Sequence, residues 1–168
     1  MIFNLKTLAF AAGLALASQA ASAASFNFSG VVDFSSASPK LVGELIAGQF
    51  SYDDQAALLA GPDGTVALQS LDLSFLGQTF HLAPGSDAYA QFEGGALVGP
   101  NAGFAGVAGG YLQLLSVWGS SGFSYSHHGA DSLGSLTVSA VPEPSTWALS
   151  LVGLLGLGAL ARRRAQLG

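Results

Sequence analysis

The stretch LDLSFLGQTF, residues 71–80, carries the pattern that decides the fold. Its apolar residues Leu71, Leu73 and Phe75 alternate with an aspartate and a serine. Because successive side chains of a β-strand point to opposite faces, this period of two predicts a strand with one buried and one wet face. The Leu-Gly-Gln that follows is a turn signal, and an alternating run resumes after it. One wet face favours an antiparallel sheet.

The same alternation extends in both directions from this stretch, and turn signals separate the runs. Eighteen glycines lie between Gly30 and Gly134, a density that works against helices. We therefore expect an all-β fold, an antiparallel sandwich or a barrel-like domain, over residues 24–140. The further alternating runs are Phe26, Phe28, Val32 and Phe34; Ile46, Gly48, Phe50 and Tyr52; Tyr111 to Trp118; Phe123 and Tyr125; and residues 135–141.

Two segments depart from this pattern. Residues 53–60, DDQAALLA, are compatible with one helical turn or a short helix. Residues 93–110 are rich in glycine and alanine, and they predict a long loop with at most one strand.

The N-terminus has the three parts of a secretory signal peptide over residues 1–23. Lys6 gives a positive start, residues 7–17 are apolar, and Ala21-Ser22-Ala23 is a small-x-small cleavage site. Cleavage is expected before Ala24. The alternative is a plain transmembrane helix, but the apolar run is short and small residues follow it directly.

The segment between the two ends is acidic. Nine acidic residues and one basic residue, Lys40, leave a formal charge of −8. This charge argues against binding nucleic acid, which needs a basic patch. The chain has no cysteine, so disulfides and thiolate chemistry are excluded. The acidic residues are Asp33, Glu44, Asp53, Asp54, Asp63, Asp72, Asp87, Glu93 and Asp131.

The C-terminal stretch VPEPSTWALSLVGLLGLGALARRR spans residues 141–164. Its two prolines lack N–H donors and keep their preceding residues out of the helical region, so residues 141–144 should be extended and outside any sheet ladder. Residues 147–161 form an apolar run of 15 residues. As a helix it would span about 22 Å, against roughly 30 Å of hydrocarbon core, so we expect a short transmembrane helix. The three arginines should stay on the cytoplasmic side.

This order of proline motif, apolar helix and arginine cluster resembles the PEP-CTERM sorting signal of Gram-negative bacteria. The resemblance implies processing near the motif by exosortase, a membrane enzyme. It also implies transient tethering to the inner membrane, then release to the cell surface or the exopolysaccharide matrix. An ordinary anchor with a proline-rich stalk is the alternative. The matching residues are the motif Val141, Pro142, Glu143, Pro144 and Ser145; the anchor residues Trp147, Leu149, Leu151, Leu154, Leu155, Leu157 and Leu160; and the cluster Arg162, Arg163 and Arg164.

Three motifs between the ends could carry chemistry, and each has a plainer interpretation. Residues 130–134, ADSLG, are similar to an esterase motif with Ser132 as nucleophile, but no histidine follows His128, so a β-turn is favoured. His127 and His128 could bind a metal with Asp131 or His81, yet strand neighbours point apart and loop histidines are favoured. The aspartates Asp53, Asp54 and Asp63 do not have the spacing of a calcium loop.

The favoured function is therefore a non-enzymatic surface or matrix protein without metal or cofactor. Its aromatic residues could offer a sugar-stacking face, although core packing is the plainer interpretation. A secreted hydrolase that uses the pair Asp87 and Glu93, or Asp53 and Asp54, is one alternative. A permanently anchored periplasmic binding module is another. The aromatic residues in question are Tyr52, Tyr89, Tyr111, Trp118 and Tyr125.

Overall fold

The computed structural model describes residues 23–141 and Val152. Most of the predicted signal peptide and the motif residues Pro142 to Ser145 lie outside the described residues. The same holds for the arginine cluster and for the predicted anchor apart from Val152, which has helical backbone. Within residues 23–141 and at position 152, no helix has the length and apolar character needed to cross a membrane.

Nine strands and two short helices make up the described residues. A 3-10 helix spans Pro39–Leu41, and α1 spans Asp54–Ala60, which confirms the short helix expected there. The strands are β1 Ala23–Ser35, β2 Leu45–Asp53, β3 Thr65–Phe75, β4 Gln78–His81, β5 Tyr89–Glu93, β6 Ala96–Val107, β7 Gly110–Val117, β8 Ser120–His127 and β9 Ala130–Ala140.

The strands close into an antiparallel barrel. Each strand pairs with its neighbours in the order β2-β1-β9-β8-β7-β6-β5-β3, and β3 pairs back with β2. The short β4 and β5 lie end to end along one edge of β3: β4 pairs with residues 72–75 and β5 with residues 65–67. They act as one interrupted strand, which gives eight positions around the wall. The prediction of an antiparallel all-β fold is confirmed, in its barrel form.

The barrel interior is filled by the apolar side chains of alternating strand positions. Leu71, Leu73 and Phe75 are each no more than 1% exposed, so the opening pattern placed this inner face correctly. The Phe75 ring meets Phe123 and Tyr125 edge-on, with ring centroids 5.8 and 5.4 Å apart. These rings and the surrounding leucines form one continuous core.

A β-bulge reverses the expected face of Phe34. The register between β1 and β9 shifts between Val32 and Phe34, so the side chains after the bulge change faces. Phe34 is 57% exposed, whereas Ser35 turns inward and lies 2.8 Å (Oγ to Oγ) from the buried Ser132. The prediction that Phe34 continues the inner face was wrong, because one extra residue inverts a period of two.

The predicted loop over residues 93–110 is also wrong in extent. Most of it is the twelve-residue strand β6, and only the tight turn at 94–95 and the turn at 108–109 lie outside strands. The glycines of β6 leave room for neighbouring side chains to pack against its backbone. A Cβ on Gly103 would overlap the hydroxyl of Tyr111, which lies across it.

Both ends of the described chain lie at the same end of the barrel. Ala140, the last residue of β9, pairs with Phe26 near the start of β1, and the Val141 N–H donates to Ser25 O at 2.9 Å. The same end holds α1 and the turns at residues 61–64, 94–95 and 118–119, which hydrogen bonds link to one another. We call this end the exit rim, and the opposite end the far rim.

Candidate functional site

The barrel wall is open along one seam, between β4 and the second half of β6. β6 pairs with β5 only over residues 96–101, and residues 102–107 pair with β7 alone. No ladder joins β4 to β6 in the part of the chain that the structure describes. Residues 82–88, which belong to neither strand, separate β4 from β5 at this point.

Two contacts cross the seam and keep it from opening further. The Ala108 N–H donates to Gln78 Oε1 at 2.9 Å. The rings of Phe80 and Phe104 pack behind this bond, with centroids 6.0 Å apart. Phe104 is 9% exposed, so the seam is closed to the core by aromatic packing and open only on the outer side.

The seam forms a groove of about 530 Å³ on the outer surface. We call it the wall groove. Two tyrosines border it: Tyr89, at the start of β5, is 36% exposed, and Tyr111, on β7, is 47% exposed. Tyr111 lies across Gly103, where a side chain would displace it. The groove therefore presents two accessible aromatic rings, one on β5 and one on β7.

The polar groups of the wall groove include a carboxylate, side-chain amides and an imidazole. Asp87, Gln113 and His81 are among its lining residues, and His81 Nδ1 lies 2.5 Å from Asp72 Oδ1. Within residues 23–141 and at position 152, no lysine or arginine lines it. Among the described residues, a ligand with phosphate, sulfate or carboxylate groups would meet no lysine or arginine there to compensate its charge. The arrangement suits an uncharged polar ligand with an apolar face.

The five aromatic residues proposed as a sugar face do not form one face. Tyr52 and Tyr125 are only 5% and 3% exposed and belong to the core. Burial raises the pKa of Tyr52 to about 12, and the charge of Asp54 adds to this shift. Burial also raises the pKa of Tyr125. Trp118 is exposed at the β7–β8 turn on the exit rim, outside the groove. Only Tyr89 and Tyr111 are brought together.

The structure removes Ser132 as a candidate nucleophile. Its side chain is 0% exposed and points into the barrel towards Ser35. The β-turn expected at residues 130–134 is wrong as well, because this segment starts β9 and the turn lies at His128 and Gly129. An enclosed hydroxyl without a histidine partner cannot attack a substrate.

The two adjacent histidines meet in a way that strand geometry alone did not predict. His127 ends β8, while His128 has a φ of 50° in the turn, so both rings come to one side with centroids 4.0 Å apart. Asp131, which the sequence analysis named as a possible metal ligand beside them, accepts a hydrogen bond from Ser126 Oγ. Within residues 23–141 and at 152, no group of three or more histidine or carboxylate side chains is placed to hold a metal ion.

The carboxylates considered as acid–base pairs have separate structural positions. Asp53 Oδ1 caps α1 by accepting from the Gln55 N–H at 2.8 Å. Both carboxylate oxygens of Glu93 accept N–H groups of the β7–β8 turn, at 2.7 and 2.6 Å. Asp87 lines the wall groove, and Glu93 does not. Asp87 and Glu93 therefore do not face one common cleft.

The aspartates considered for calcium are also used separately. Asp63 Oδ1 accepts from the Gly94 N–H at 2.7 Å and so joins the turn at 61–64 to the turn at 94–95. Asp53 caps α1, and Asp54 lies in its first turn. Asp53 and Asp63 therefore have separate structural roles, each accepting from backbone N–H groups.

The C-terminal motif starts where the barrel ends. Ala140 is in the β1–β9 ladder, Val141 makes one more backbone bond to Ser25, and Pro142, which follows, has no N–H to continue it. The extended segment expected at residues 141–144 thus has no linker before it.

The family model of the PEP-CTERM protein-sorting motif matches residues 140–164. No curated protein and no solved structure was found to match. The described residues form an antiparallel β-barrel, and the match at residues 140–164 supports an exported protein with a sorting signal. The motif implies membrane anchoring through the C-terminus and processing by exosortase.

Sequence reasoning missed the wall groove. Tyr89 and Tyr111 were singled out by residue type, but their partners Gln113 and Asp87 were not assigned to the same place. One available signal was APGSD at residues 83–87, an unusually long turn between two short strands. An interruption of this kind marks a position where a barrel wall can separate.

Proposed function

We propose that this protein is a non-enzymatic barrel displayed at the cell surface or in the extracellular matrix, where it binds uncharged exopolysaccharide in the wall groove. The observation that carries the proposal is that Tyr89 and Tyr111 border one groove in which none of the described lining residues is a lysine or arginine. Aromatic rings offer apolar area for the C–H faces of sugars, and the amide and carboxylate groups beside them can bond to hydroxyls.

The sorting signal supports the location. Residues 140–164 match the PEP-CTERM motif, and the barrel ends at residue 141. Removal of the tail beyond the motif would leave the barrel and its groove intact, because both lie within residues 23–141. The protein released after processing would therefore keep the wall groove.

Intact mass tests the location. The protein is recovered from membrane, surface and medium fractions of its native host. A mass without residues 1–23 and without everything beyond residues 141–145, found in the surface or medium fraction, is the expected result. A mass that keeps Arg162 to Arg164, found only in the membrane fraction, would contradict release and favour a permanently anchored binding module.

A pull-down with host exopolysaccharide tests the groove. Tyr111→Ala and Tyr89→Ala should each weaken retention by about two- to twelvefold, since an aromatic contact contributes about 0.5–1.5 kcal/mol. Trp118→Ala is the matched control, because it removes an exposed aromatic ring outside the groove. Equal loss in all three variants, or no loss in any, would contradict groove binding.

A second variant tests placement without removing an aromatic ring. Gly103→Ala keeps both tyrosines but displaces Tyr111, because the new Cβ would overlap its hydroxyl. Retention should fall while the barrel stays folded. Shortening of the polysaccharide by the wild type, abolished in Asp87→Asn, would contradict the non-enzymatic part of the proposal.

A further inference from the structure

The exit rim carries large apolar side chains that the barrel leaves uncovered. In α1, Ala56 and Ala57 pack against the core, while Leu58 and Leu59 are 75% and 88% exposed. Trp118, at the tip of the β7–β8 turn, is 89% exposed. Each of these positions exposes more side chain than any other large hydrophobic residue of segment 23–141.

The position of Trp118 is fixed by its backbone. The residue has a φ of 53°, and its N–H donates to Glu93 Oε1 at 2.7 Å. Glu93 belongs to the same rim as α1, because Gly95, two residues after it, donates its N–H to Pro62 O at 2.9 Å. Hydrogen bonds therefore link the turn that carries Trp118 to the turn that follows α1, the helix that carries Leu58 and Leu59.

The sorting tail leaves the barrel at this rim. Val141 is bonded to Ser25, and the apolar run starts at Trp147, six residues later. Six residues reach about 20 Å at most when fully extended. While the tail holds its apolar run in the bilayer, the exit rim cannot be farther than about that distance from the membrane surface.

We infer that the exit rim docks on the bilayer interface while the tail is intact, with Leu58, Leu59 and Trp118 inserted among the headgroups. Tryptophan and leucine are the residue types that favour this zone. The tether makes the contact intramolecular, so a contact too weak to hold the free barrel suffices before processing. Once the tail is removed, the contact is no longer intramolecular, and the barrel is released from the membrane.

The negative charges of the exit rim determine which lipid headgroups it should favour. Asp53, Asp63 and Glu93 all accept backbone N–H groups, which holds these carboxylates against the barrel. Asp54 adds a fourth negative charge, and the only lysine of the segment, Lys40, lies at the far rim on the 3-10 helix. Docking should therefore favour zwitterionic headgroups over anionic ones.

Fluorescence of the full chain in vesicles tests this contact. The chain has two tryptophans, so Trp147→Phe leaves Trp118 as the only one. The variant is inserted into phosphatidylethanolamine–phosphatidylcholine vesicles, and vesicle-bound protein is collected by flotation. Trp118 emission should shift to the blue and fall when the acyl chains carry bromine. Water-like emission that bromine leaves unchanged would overturn the proposal.

A probe on the far rim is the matched control. Leu45 is 60% exposed there, so Leu45→Trp combined with Trp118→Phe and Trp147→Phe places the only indole at the opposite end. Its emission should be the same with and without bromine. Equal quenching of both probes would show unspecific adsorption and overturn the assignment to one rim.

Removal of the leucines separates docking from tethering. Leu58→Ser with Leu59→Ser, in the chain that has only Trp118, should restore water-like emission although the protein still floats with the vesicles. Both side chains are exposed, so the far-ultraviolet circular dichroism should not change. Unchanged quenching in this variant would show that α1 does not contribute and would contradict the proposed surface.

Discussion

The side-chain amide of Asn101 takes the place of a main-chain peptide opposite Ser116. The Ser116 N–H donates to Asn101 Oδ1 at 2.9 Å, and Asn101 Nδ2 donates to Ser116 O at 3.2 Å. Both residues are buried, and the β6–β7 ladder stops one residue earlier, at Ala102 and Leu114. One side chain thus continues the sheet at the point where β6 changes its partner from β7 to β5.

Replacement of this amide should be costly. Asn101→Ala leaves the buried N–H and C=O of Ser116 without partners, so we expect the free energy of unfolding to fall by about 2–4 kcal/mol. Chemical denaturation of the mature barrel measures it. Asn27→Ala, at an exposed strand position, should change stability by less than about 0.5 kcal/mol. Similar losses in both variants would contradict the role given to Asn101.

Gly48 should tolerate no side chain. A Cβ there would overlap the Phe28 ring and the backbone oxygen of Asp72, and the backbone oxygen cannot move aside without breaking the β2–β3 ladder. Gly48→Ala should destabilise the barrel by about 1–3 kcal/mol or more, as overpacking does. Thermal unfolding is the measurement, with the exposed neighbour Gln49→Ala as control. Stability equal to wild type would mean that Phe28 does not cover Gly48 in solution.

Tyr52 should make the barrel sensitive to alkali. Its pKa is about 12 in the folded state and 10.0 ordinarily, mainly because of burial. Between these values the unfolded chain loses its proton first, so the free energy of unfolding should fall as pH rises from about 10 towards about 12. Denaturation at a series of pH values measures the fall.

The control for this pH effect is Tyr52→Phe, which keeps the ring that stacks on Phe26 but has no proton to lose. Its stability should fall less over the same pH range. Tyr111→Phe, at an exposed ring, should follow the wild type. A wild-type decline that Tyr52→Phe reproduces in full would assign the effect to other groups.

Gln78 should control the local opening of the seam. Gln78→Ala removes the bond from the Ala108 N–H, which crosses from β4 to the end of β6. Hydrogen exchange at the Ala108 amide should become faster, while global stability should change by less than about 1 kcal/mol, because the bond is exposed. Thr79→Ala is the control on the same strand. Unchanged exchange at Ala108 would show that Phe80 and Phe104 alone hold the seam.

Local patterns in the sequence were enough to predict that strands form. The alternation at residues 71–75 predicted the buried face of β3 correctly, because a period of two requires only the strand itself. The same reasoning failed at Phe34, where a bulge changes the face, and at β6, where glycines provide room for neighbours. Both failures depend on partner strands, which a single segment does not reveal.

The sequence by itself determined the antiparallel β-architecture and the sorting signal at residues 140–164, because both are written in local order and composition. Only the tertiary structure decided which aromatic residues are core and which are accessible. Tyr52 and Tyr111 are alike in type and in strand context, yet closure of the barrel buries one and leaves the other beside the seam. The register between distant strands sets that outcome, and register is fixed by the packing of the whole barrel.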